Sequence, residues 1–182
     1  MHKNFKTALN LTLKFEGGWV DNIHDPGGST NMGITMKTLA RYRNHPVSAS
    51  DLRMLARDEV EDLYLNLYWH PLSANELPSG IDLALFDYAV NSGQTAAIRA
   101  LQTALGVQVD GILGSDTLKV LVSTDQSALI HKVSNQRLDF LRRLGTFRWF
   151  GVGWTTRVKA IELEAMRLAT SKSTALTDTN HR

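Results

Sequence analysis

Two acidic residues near the N-terminus, Glu16 and Asp25, have the types and the spacing needed to cleave a glycosidic bond. They lie nine positions apart and are joined by a connection rich in glycine. A glycosidase needs a protonated acid on one side of the scissile bond and, on the other, a carboxylate that activates water or stabilises the transition state. Thr30, five positions after Asp25, carries a hydroxyl that would help to position this water.

The local sequence predicts different environments for the two acids. Residues 5–16 place apolar side chains on a broad helical face, and a pair of glycines follows, so Glu16 should lie at a helix end against the core. Burial disfavours the charged form of a carboxyl group, which suits a proton donor. Asp25 lies in the turn-forming segment 25–31, where a carboxylate would stay ionised. The spacing alone also fits a solvated glutamate and a turn-forming aspartate.

Helical patterns account for most of the remaining chain. Residues 80–91 are apolar nearly all round, which is typical of a central, buried helix. Ser48 and Asp51 have the spacing of a capping box, and helical spacing continues from there to about Tyr68. We predict further helices over residues 36–42, 95–105, 115–122, 125–144 and 155–169. Two short strands are predicted over residues 19–20 and 34–35. The sequence therefore predicts a mainly α protein with a small β-hairpin or irregular loop near the N-terminus.

The chain divides into two predicted lobes near a glycine at the end of the central helix. We place an N-terminal catalytic lobe over residues 1–93 and a helical C-terminal lobe, packed on it, over residues 94–169. Before the last helix, a cluster of aromatic residues within 147–154 is interpreted as a packing plug. The polar segment 170–182 is predicted to be a flexible tail.

The composition is that of an ordinary globular protein. The chain has 182 residues, of which 43% are hydrophobic and 21% charged, which is enough for a packed core. It has no cysteine, which excludes disulfides, thiolate catalysis and cysteine-based zinc sites. We find no apolar run of membrane-spanning length and no secretory signal peptide, so we expect synthesis in the cytoplasm. The formal net charge of +2 favours an anionic polymer only weakly.

The spacing of potential metal ligands predicts neither a metal nor another cofactor. The six histidines are scattered and form no HExxH or comparable pattern, which argues against a zinc peptidase or amidase. A calcium-binding EF-hand loop that begins at Asp21 or Asp25 would need a glutamate where Met32 or Met36 stands. A phosphate-binding P-loop is also lacking from the sequence.

Several segments together resemble one family. Residues 15–20 (FEGGWV) followed by residues 25–35 (DPGGSTNMGIT) closely resemble the opening signature of the family 108 glycoside hydrolases. These are N-acetylmuramidases that include phage-type endolysins and secretion activator proteins. Later segments resemble the central helix, the peptidoglycan-binding C-terminal region and the terminal motif of the same family: residues 86–93, 101–107, 109–114 and 150–158. The resemblance covers about residues 5–165.

The resemblance implies a lysozyme-like helical fold and cleavage of the β-1,4 bond between N-acetylmuramic acid and N-acetylglucosamine. Glu16 would be the catalytic acid. Asp25 and Thr30 would be its partners, by similarity to the Glu-Asp-Thr triad of phage lysozymes, although the step to Thr30 is one residue shorter here. Asp21 is a nearby alternative to Asp25, and an inverting and a retaining outcome both stay open. No cofactor is needed.

Three further residues are candidate contacts to the sugar. Asn91 is placed at the end of the central helix, either to hydrogen-bond an acetamido group or to cap the helix. Tyr88 would stack on a sugar face or belong to the core. Trp19 would form a wall of the cleft or cover the core.

An enzyme of this kind would act on peptidoglycan in the periplasm or cell wall after its release. We expect a monomer that needs a holin-like partner, another export route or cell lysis, and both phage lysis and assisted secretion fit. The main alternative is a lytic transglycosylase, which needs the acid but no water-positioning carboxylate.

Two non-enzymatic functions fit the sequence less well. A wall-binding protein without catalytic activity would not need the intact Glu16. A nucleic-acid binder would use the basic segment 33–43 as a recognition helix, but the acidic residues just upstream would repel phosphates. We therefore expect no nucleic-acid partner.

Overall fold

The computed structural model describes residues 4–20 and 29–177, with side chains as far as residue 171. Within these ranges the helices are α1 (Phe5–Glu16), α2 (Met36–Arg43), α3 (Ala49–Arg53), α4 (Arg57–Tyr64), α5 (Ile81–Ser92), α6 (Gln94–Leu105), α7 (Ser115–Val122), α8 (Gln126–Arg142) and α9 (Phe147–Thr177). A π-helical turn (Leu65–Trp69) and a 3-10 turn (Ala74–Glu76) connect α4 to α5. Two strands, β1 (Thr30–Asn31) and β2 (Ile34–Thr35), form a hairpin. The predicted mainly α fold with a small N-terminal hairpin is confirmed.

The hairpin has a tight two-residue turn. β1 and β2 pair antiparallel, with Thr30 opposite Thr35. The two turn residues, Met32 and Gly33, have positive φ angles of 49° and 74°, as the tight hairpin turns that match strand twist require. Val20 adds a bridge to Thr30, in which both backbone hydrogen bonds measure 2.8 Å. The strand predicted just before the glycine-rich loop is therefore reduced to a single bridge.

Side chains of the hairpin fasten it to the neighbouring helices. The buried amide of Asn31 donates to the carbonyl oxygen of Leu52 at 2.9 Å and to that of Arg53 at 3.3 Å, at the end of α3. The Thr35 hydroxyl accepts from the Thr38 backbone N–H at 3.1 Å and caps α2. The hairpin is thus held in a defined position beside α1.

α5 is the central helix, as its composition predicts. Every residue from Ile81 to Ala89 is buried, and the helix packs against α1, α6, α8 and α9. The ring of Phe86 lies among aromatic rings of other elements, with centroids 5.9 Å from Phe5 and 5.4 Å from Trp69. Because α5 is enclosed, the acidic residues on it need partners inside the protein.

The single helix predicted from residue 48 to residue 68 is interrupted. Its capping box is confirmed, because the Ser48 hydroxyl accepts from the Asp51 N–H at 3.1 Å and the Asp51 carboxylate accepts from the Ser48 N–H at 2.7 Å. The chain then leaves the helix at Met54, buries Leu55 and is extended at Ala56 (φ −74°, ψ 151°). Acidic residues in the first turn of α4 favour a new helix start. The prediction failed because helical spacing of apolar residues continues across the break.

α9 is longer than predicted at both ends. It begins at Phe147 instead of near residue 155, and it continues to Thr177 within the segment predicted as a tail. The aromatic cluster therefore lies on a helix, and the predicted packing holds for only part of it: Phe147 and Trp154 pack against the cluster of Leu138, Leu141 and Val158, whereas Trp149 and Phe150 are 63% and 56% exposed. Glycines among these residues weakened the helical pattern. Neither α9 nor any other described helix is long and apolar enough to cross a membrane.

One hydrophobic core joins the two predicted lobes. It extends from Phe5 in α1 to Ala165 in α9 and includes residues of α4, α5, α6 and α8. α8 and α9 pack against each other, and both contact α5. Helices of the predicted C-terminal lobe therefore pack directly against α5 of the predicted N-terminal lobe.

Candidate active site

Glu16, the last residue of α1, lines a cleft of about 440 Å³. Gly17 ends the helix with a positive φ of 75°, so the chain turns away and leaves the Glu16 side chain at the edge of the core, 19% exposed. Asn91, at the end of α5, and residues of α9 complete the walls. The cleft therefore lies where the ends of three helices meet.

Arg157 of α9 fixes one carboxylate oxygen of Glu16. Its Nη1 donates to Glu16 Oε1 at 2.7 Å. Its other donors contact Asp87 of α5, with Nη2 2.8 Å from Oδ1 and Nε 3.0 Å from Oδ2. One planar guanidinium group thus bridges a carboxylate at the cleft and a buried carboxylate, a task that suits the rigid fork of arginine donors.

Asp87 is fully buried, and its partners come from three other helices. Arg137 of α8 donates from Nη1 to Oδ2 at 2.8 Å, and the hydroxyl of Thr12 in α1 donates to Oδ1 at 2.9 Å. Together with Arg157 these groups satisfy the buried carboxylate. We call Glu16, Asp87, Arg137 and Arg157 the charged cluster; its two acids and two bases balance in charge.

Burial and charge compete inside the charged cluster. Burial raises the pKa of Asp87, but Arg137 and Arg157 outweigh it and hold the pKa of that carboxyl below its usual range. Burial opposes the charge of Arg157, yet Asp87 and Glu16 prevail and raise the pKa of that guanidinium. For Arg137 burial is the stronger effect, and its pKa is lowered. Arg157 therefore presents a permanent cation to Glu16.

The hairpin turn lies against the second oxygen of Glu16. A Cβ atom on Gly33 would be 2.9 Å from Glu16 Oε2 and 2.6 Å from Tyr64 Oη. Tyr64 of α4 donates its hydroxyl to the carbonyl oxygen of Met32 at 2.9 Å. Burial, reinforced by the charge of Glu16, raises the pKa of Tyr64 far above its usual value, so the phenol keeps its proton. Tyr64 therefore holds the turn beside Glu16, at a position where only glycine fits.

Aromatic side chains form the outer wall of the cleft. Trp149, Phe150 and Trp154 of α9 line it together with Phe15 of α1, and the rings of Phe150 and Trp154 lie 5.7 Å apart. Trp149 and Phe150 remain largely open to solvent. Flat, exposed rings beside a carboxylate and an amide match the mixture of apolar faces and hydroxyl groups on a sugar.

Of the two residues of α5 that were predicted to contact a sugar, one lines the Glu16 cleft. Asn91 lines the cleft with Glu16 and accepts a hydrogen bond from Arg137 at 3.2 Å. Tyr88, which is 2% exposed, faces a separate groove on a neighbouring side of α5. Tyr88 and the Glu16 cleft are therefore on different faces of the helix.

The remaining predicted residues do not line the cleft in the described part of the chain. Thr30 lies in β1, and Trp19 is half-buried with the guanidinium of Arg53 at 4.4 Å from its ring centroid. Asp25 and its alternative Asp21 lie outside the described residues. The identity of the second carboxylate stays a prediction.

Sequence reasoning missed the charged cluster around Glu16. A signal for Asp87 was present, because a carboxylate on a helix that is apolar all round needs a buried partner. Local patterns do not identify Arg137 and Arg157 as those partners, since they lie on helices far away in the sequence. The predicted burial of Glu16 is partial, and its cationic neighbour was not anticipated.

A mainly helical protein with a small hairpin folded beside a helix-end glutamate at an open cleft belongs to the lysozyme-like fold class. Residues 9–93 match the Glycosyl hydrolase 108 family, and residues 90–121 match the peptidoglycan binding domain family. The chain belongs to the glycosyl hydrolase 108 family, as its motifs predicted.

A solved structure supports this assignment. The chain is similar to SagA of Brucella abortus, with 36% sequence identity and a TM-score of 0.83 over 93% of this chain and 97% of that chain. Among curated proteins there is no match. The protein is therefore a glycoside hydrolase, and its peptidoglycan-binding segment makes it a peptidoglycan hydrolase.

Proposed function

We propose that the protein is an N-acetylmuramidase that hydrolyses the β-1,4 bond between N-acetylmuramic acid and N-acetylglucosamine, with Glu16 as the general acid. The observation that carries this proposal is the placement of Glu16, whose carboxyl group lies in an aromatic-walled cleft with one oxygen held by Arg157. A fixed, accessible carboxyl group is what protonation of a leaving oxygen requires.

The contacts of Glu16 select the oxygen that donates the proton. Oε1 accepts from the guanidinium of Arg157, so the proton of the neutral acid resides on Oε2. Oε2 faces the hairpin turn, where Gly33 brings no side chain. In this arrangement α9 orients the acid, and glycine at position 33 keeps a side chain from blocking the donating oxygen.

Asp25 is the proposed second carboxylate, which orients the attacking water with help from Thr30. Val20 and Thr30 pair with each other next to the hairpin. They lie on either side of the segment that contains Asp25 in the sequence. This pairing supports a role beside Glu16 for Asp25, or for Asp21 of the same segment.

Product analysis tests the proposed acid. Wild-type protein and the variant Glu16→Gln are incubated with purified sacculi, and the soluble products are identified by mass spectrometry. We expect fragments that end in reducing N-acetylmuramic acid from the wild type and a rate at least about 100-fold lower from the variant. Equal activity of the variant would refute the role of Glu16. Fragments that end in reducing N-acetylglucosamine would refute the cleaved bond.

The variant Asp25→Ala separates hydrolysis from lytic transglycosylation. Hydrolysis should be abolished, because the water loses its carboxylate, whereas a transglycosylase would stay largely active and release anhydro-muramic products. Asp21→Ala is the matched control and should keep most of the activity. Loss of hydrolysis in Asp21→Ala but not in Asp25→Ala would transfer the role to Asp21.

A further inference from the structure

A second groove, of about 550 Å³, lies where α5, α6 and α8 meet. Tyr88 and Ser92 of α5 line it, whereas Asn91 of the same helix lines the Glu16 cleft. Residues four apart share a helix face, so the two hollows occupy neighbouring sides of the last turns of α5. We call this second hollow the α5–α6–α8 groove. A polymer seated in the Glu16 cleft has the groove beside it.

The rim of the α5–α6–α8 groove is basic. Arg99 of α6 and Arg143 at the end of α8 both line it, and none of the described residues that line it is acidic. Within the described part of the chain, neither arginine forms an ion pair with a carboxylate. Arg142, next in sequence to Arg143, pairs instead with Asp139 at 3.1 Å. The two rim arginines are therefore available for an anionic ligand.

Both rim arginines contact the rest of the protein at or near Nε of the guanidinium group. Arg143 donates from Nε to the carbonyl oxygen of Asp139 at 3.0 Å. Arg99 packs against the loop at Gly111, where an added Cβ would be 3.2 Å from its Nε. That loop is anchored by the buried amide of Gln102, which accepts from the Gly111 N–H at 2.8 Å. The hydrogen bond from Gln102, and more weakly the charge of Arg99, lower the pKa of Asp110 on this loop, so Arg99 has a carboxylate nearby but forms no ion pair with it.

The floor of the groove is apolar, and its walls carry hydroxyl groups. The rings of Tyr88 and Phe140 lie 6.2 Å apart, and Thr95 and Thr103 of α6 line the same groove. A ligand that fits must offer both short apolar side chains and carboxylates. A short acidic peptide meets these requirements better than a neutral sugar does.

We propose that the α5–α6–α8 groove binds the stem peptide of peptidoglycan, with Arg99 and Arg143 as contacts to its carboxylates. The inference rests on the proposed muramidase function, because it places a stem next to the muramic acid that carries it. Residues 92–103, which form one wall of the groove, lie inside the segment that matches the peptidoglycan binding domain. The wall-binding segment thus contributes a peptide subsite.

Kinetics on two matched substrates test this proposal. Soluble glycan oligomers are used with their stem peptides and after enzymatic removal of the stems. On stem-bearing oligomers we expect KM to rise about threefold for Arg99→Gln or Arg143→Gln and about tenfold for the double variant, with kcat unchanged. On stripped oligomers the variants should equal the wild type.

Arg142→Gln is the matched control, because it removes the same charge outside the groove. It should leave KM unchanged on both substrates. KM could rise equally on stem-bearing and stripped glycan, or Arg142→Gln could raise it as much as the rim variants do. Either result would show that the arginines attract the polymer only through their charge, and would overturn the proposal. Unchanged KM of the double variant on stem-bearing glycan would overturn it as well.

A binding experiment separates this inference from the proposed reaction. Calorimetric titration of wild-type protein with the soluble tripeptide L-alanyl-D-glutamyl-diaminopimelate should show binding that the double variant loses and that amidation of the peptide carboxyl groups weakens. This readout needs no turnover, so it holds even if the products show that the proposed bond is not cleaved. No binding by the wild type would refute the peptide subsite while leaving the muramidase proposal intact.

Discussion

The guanidinium group of Arg157 contacts both Glu16 and Asp87, so this one residue connects the cleft to the buried centre of the protein. Nη1 donates to Glu16 Oε1 at 2.7 Å, while Nη2 and Nε contact the buried carboxylate of Asp87. Because Asp87 fixes the guanidinium group, Arg157 contributes orientation to the proposed acid.

Replacement of Arg157 by lysine separates orientation from charge. Lysine keeps the positive charge, but it is a point donor and cannot contact two carboxylates with a planar fork. We expect kcat to fall about 10- to 100-fold with little change in KM, since small misplacement of a reacting group is costly. Steady-state kinetics on solubilised peptidoglycan measure the effect. Arg167→Lys, at an exposed ion pair of the same helix, is the control, and a wild-type kcat in Arg157→Lys would contradict the orienting role.

The ion pairs of buried Asp87 predict how the free energy of unfolding depends on pH. Burial raises the pKa of Asp87, but two guanidinium groups outweigh it, so the folded-state pKa lies below the usual 3.8. Such a group stabilises the fold above its unfolded pKa and loses this contribution as the pH falls through its folded pKa. The contribution of ionised Asp87 to the free energy of unfolding should therefore be fully present at neutral pH and should decline below about pH 4.

Asp87→Asn tests this expectation. At pH 7 we expect the free energy of unfolding to drop by about 3–5 kcal/mol, because two buried cations lose their counter-charge. The difference from wild type should shrink as the pH falls below about 4, because the unfolded wild-type chain then gains a proton at Asp87, and it should be smallest below the lowered folded-state pKa. Urea denaturation at both pH values gives the comparison, and exposed Asp139→Asn should change little. A difference that does not depend on pH would contradict the assignment.

At the scale of secondary-structure elements, the hairpin is a positioning device for the acid. Its turn lies against Glu16 Oε2 and is held there by Tyr64, while Asn31 fastens the strands to α3. The hairpin was predictable from its turn formers and short strands. Its contact with Glu16 was not, because the contact depends on how α4 packs against α1.

Gly33→Ala should damage the site more than the fold. A φ of 74° is strained for alanine, and the new methyl group would contact Glu16 and Tyr64 too closely. We therefore expect about 1–2 kcal/mol of lost stability and at least about tenfold lower activity. Gly106→Ala is the matched control, because Gly106 has a φ of 72° and nothing within 4 Å of an added Cβ. The thermal unfolding temperature and the rate at which soluble fragments are formed from sacculi are measured for both variants. Equal activity loss in the two variants would contradict a local effect at Glu16.

Element boundaries were predictable where local chemistry marks them. The capping box at Ser48 and the glycine after α1 gave correct helix ends. Between α3 and α4 the apolar spacing persists through a break at which Leu55 is buried and the acidic first turn of α4 begins. At the start of α9 the glycines at positions 151 and 153 hid a helix that packing against α8 stabilises.

At the scale of the whole molecule, the two predicted lobes share one core. α5 is enclosed by α1 on one side and by α6, α8 and α9 on the others, and the larger hydrophobic cluster takes residues from both lobes. Sequence patterns identified Glu16 and its helix but could not identify Arg157, because the pairing of distant helices is set by packing. The fold class was predictable, whereas the charged cluster required tertiary structure.

Unfolding should therefore be a single cooperative transition. Urea denaturation followed by tryptophan fluorescence and by far-UV circular dichroism should give coincident curves. A fragment of residues 1–93 should lack stable tertiary structure, because the faces of α5 that meet α6, α8 and α9 would be exposed to water. Two separated transitions, or a fragment with sharp, dispersed amide resonances, would contradict a shared core.

The position of Arg157 in α9, far after α1 in the chain, also orders events during synthesis. A ribosome releases α1 and the hairpin first, but the guanidinium group that orients Glu16 follows only when α9 emerges. Nascent chains consequently carry the acid without the residue that aims it. The proposed activity therefore arises only after α9 has been synthesised and has packed against α1 and α5.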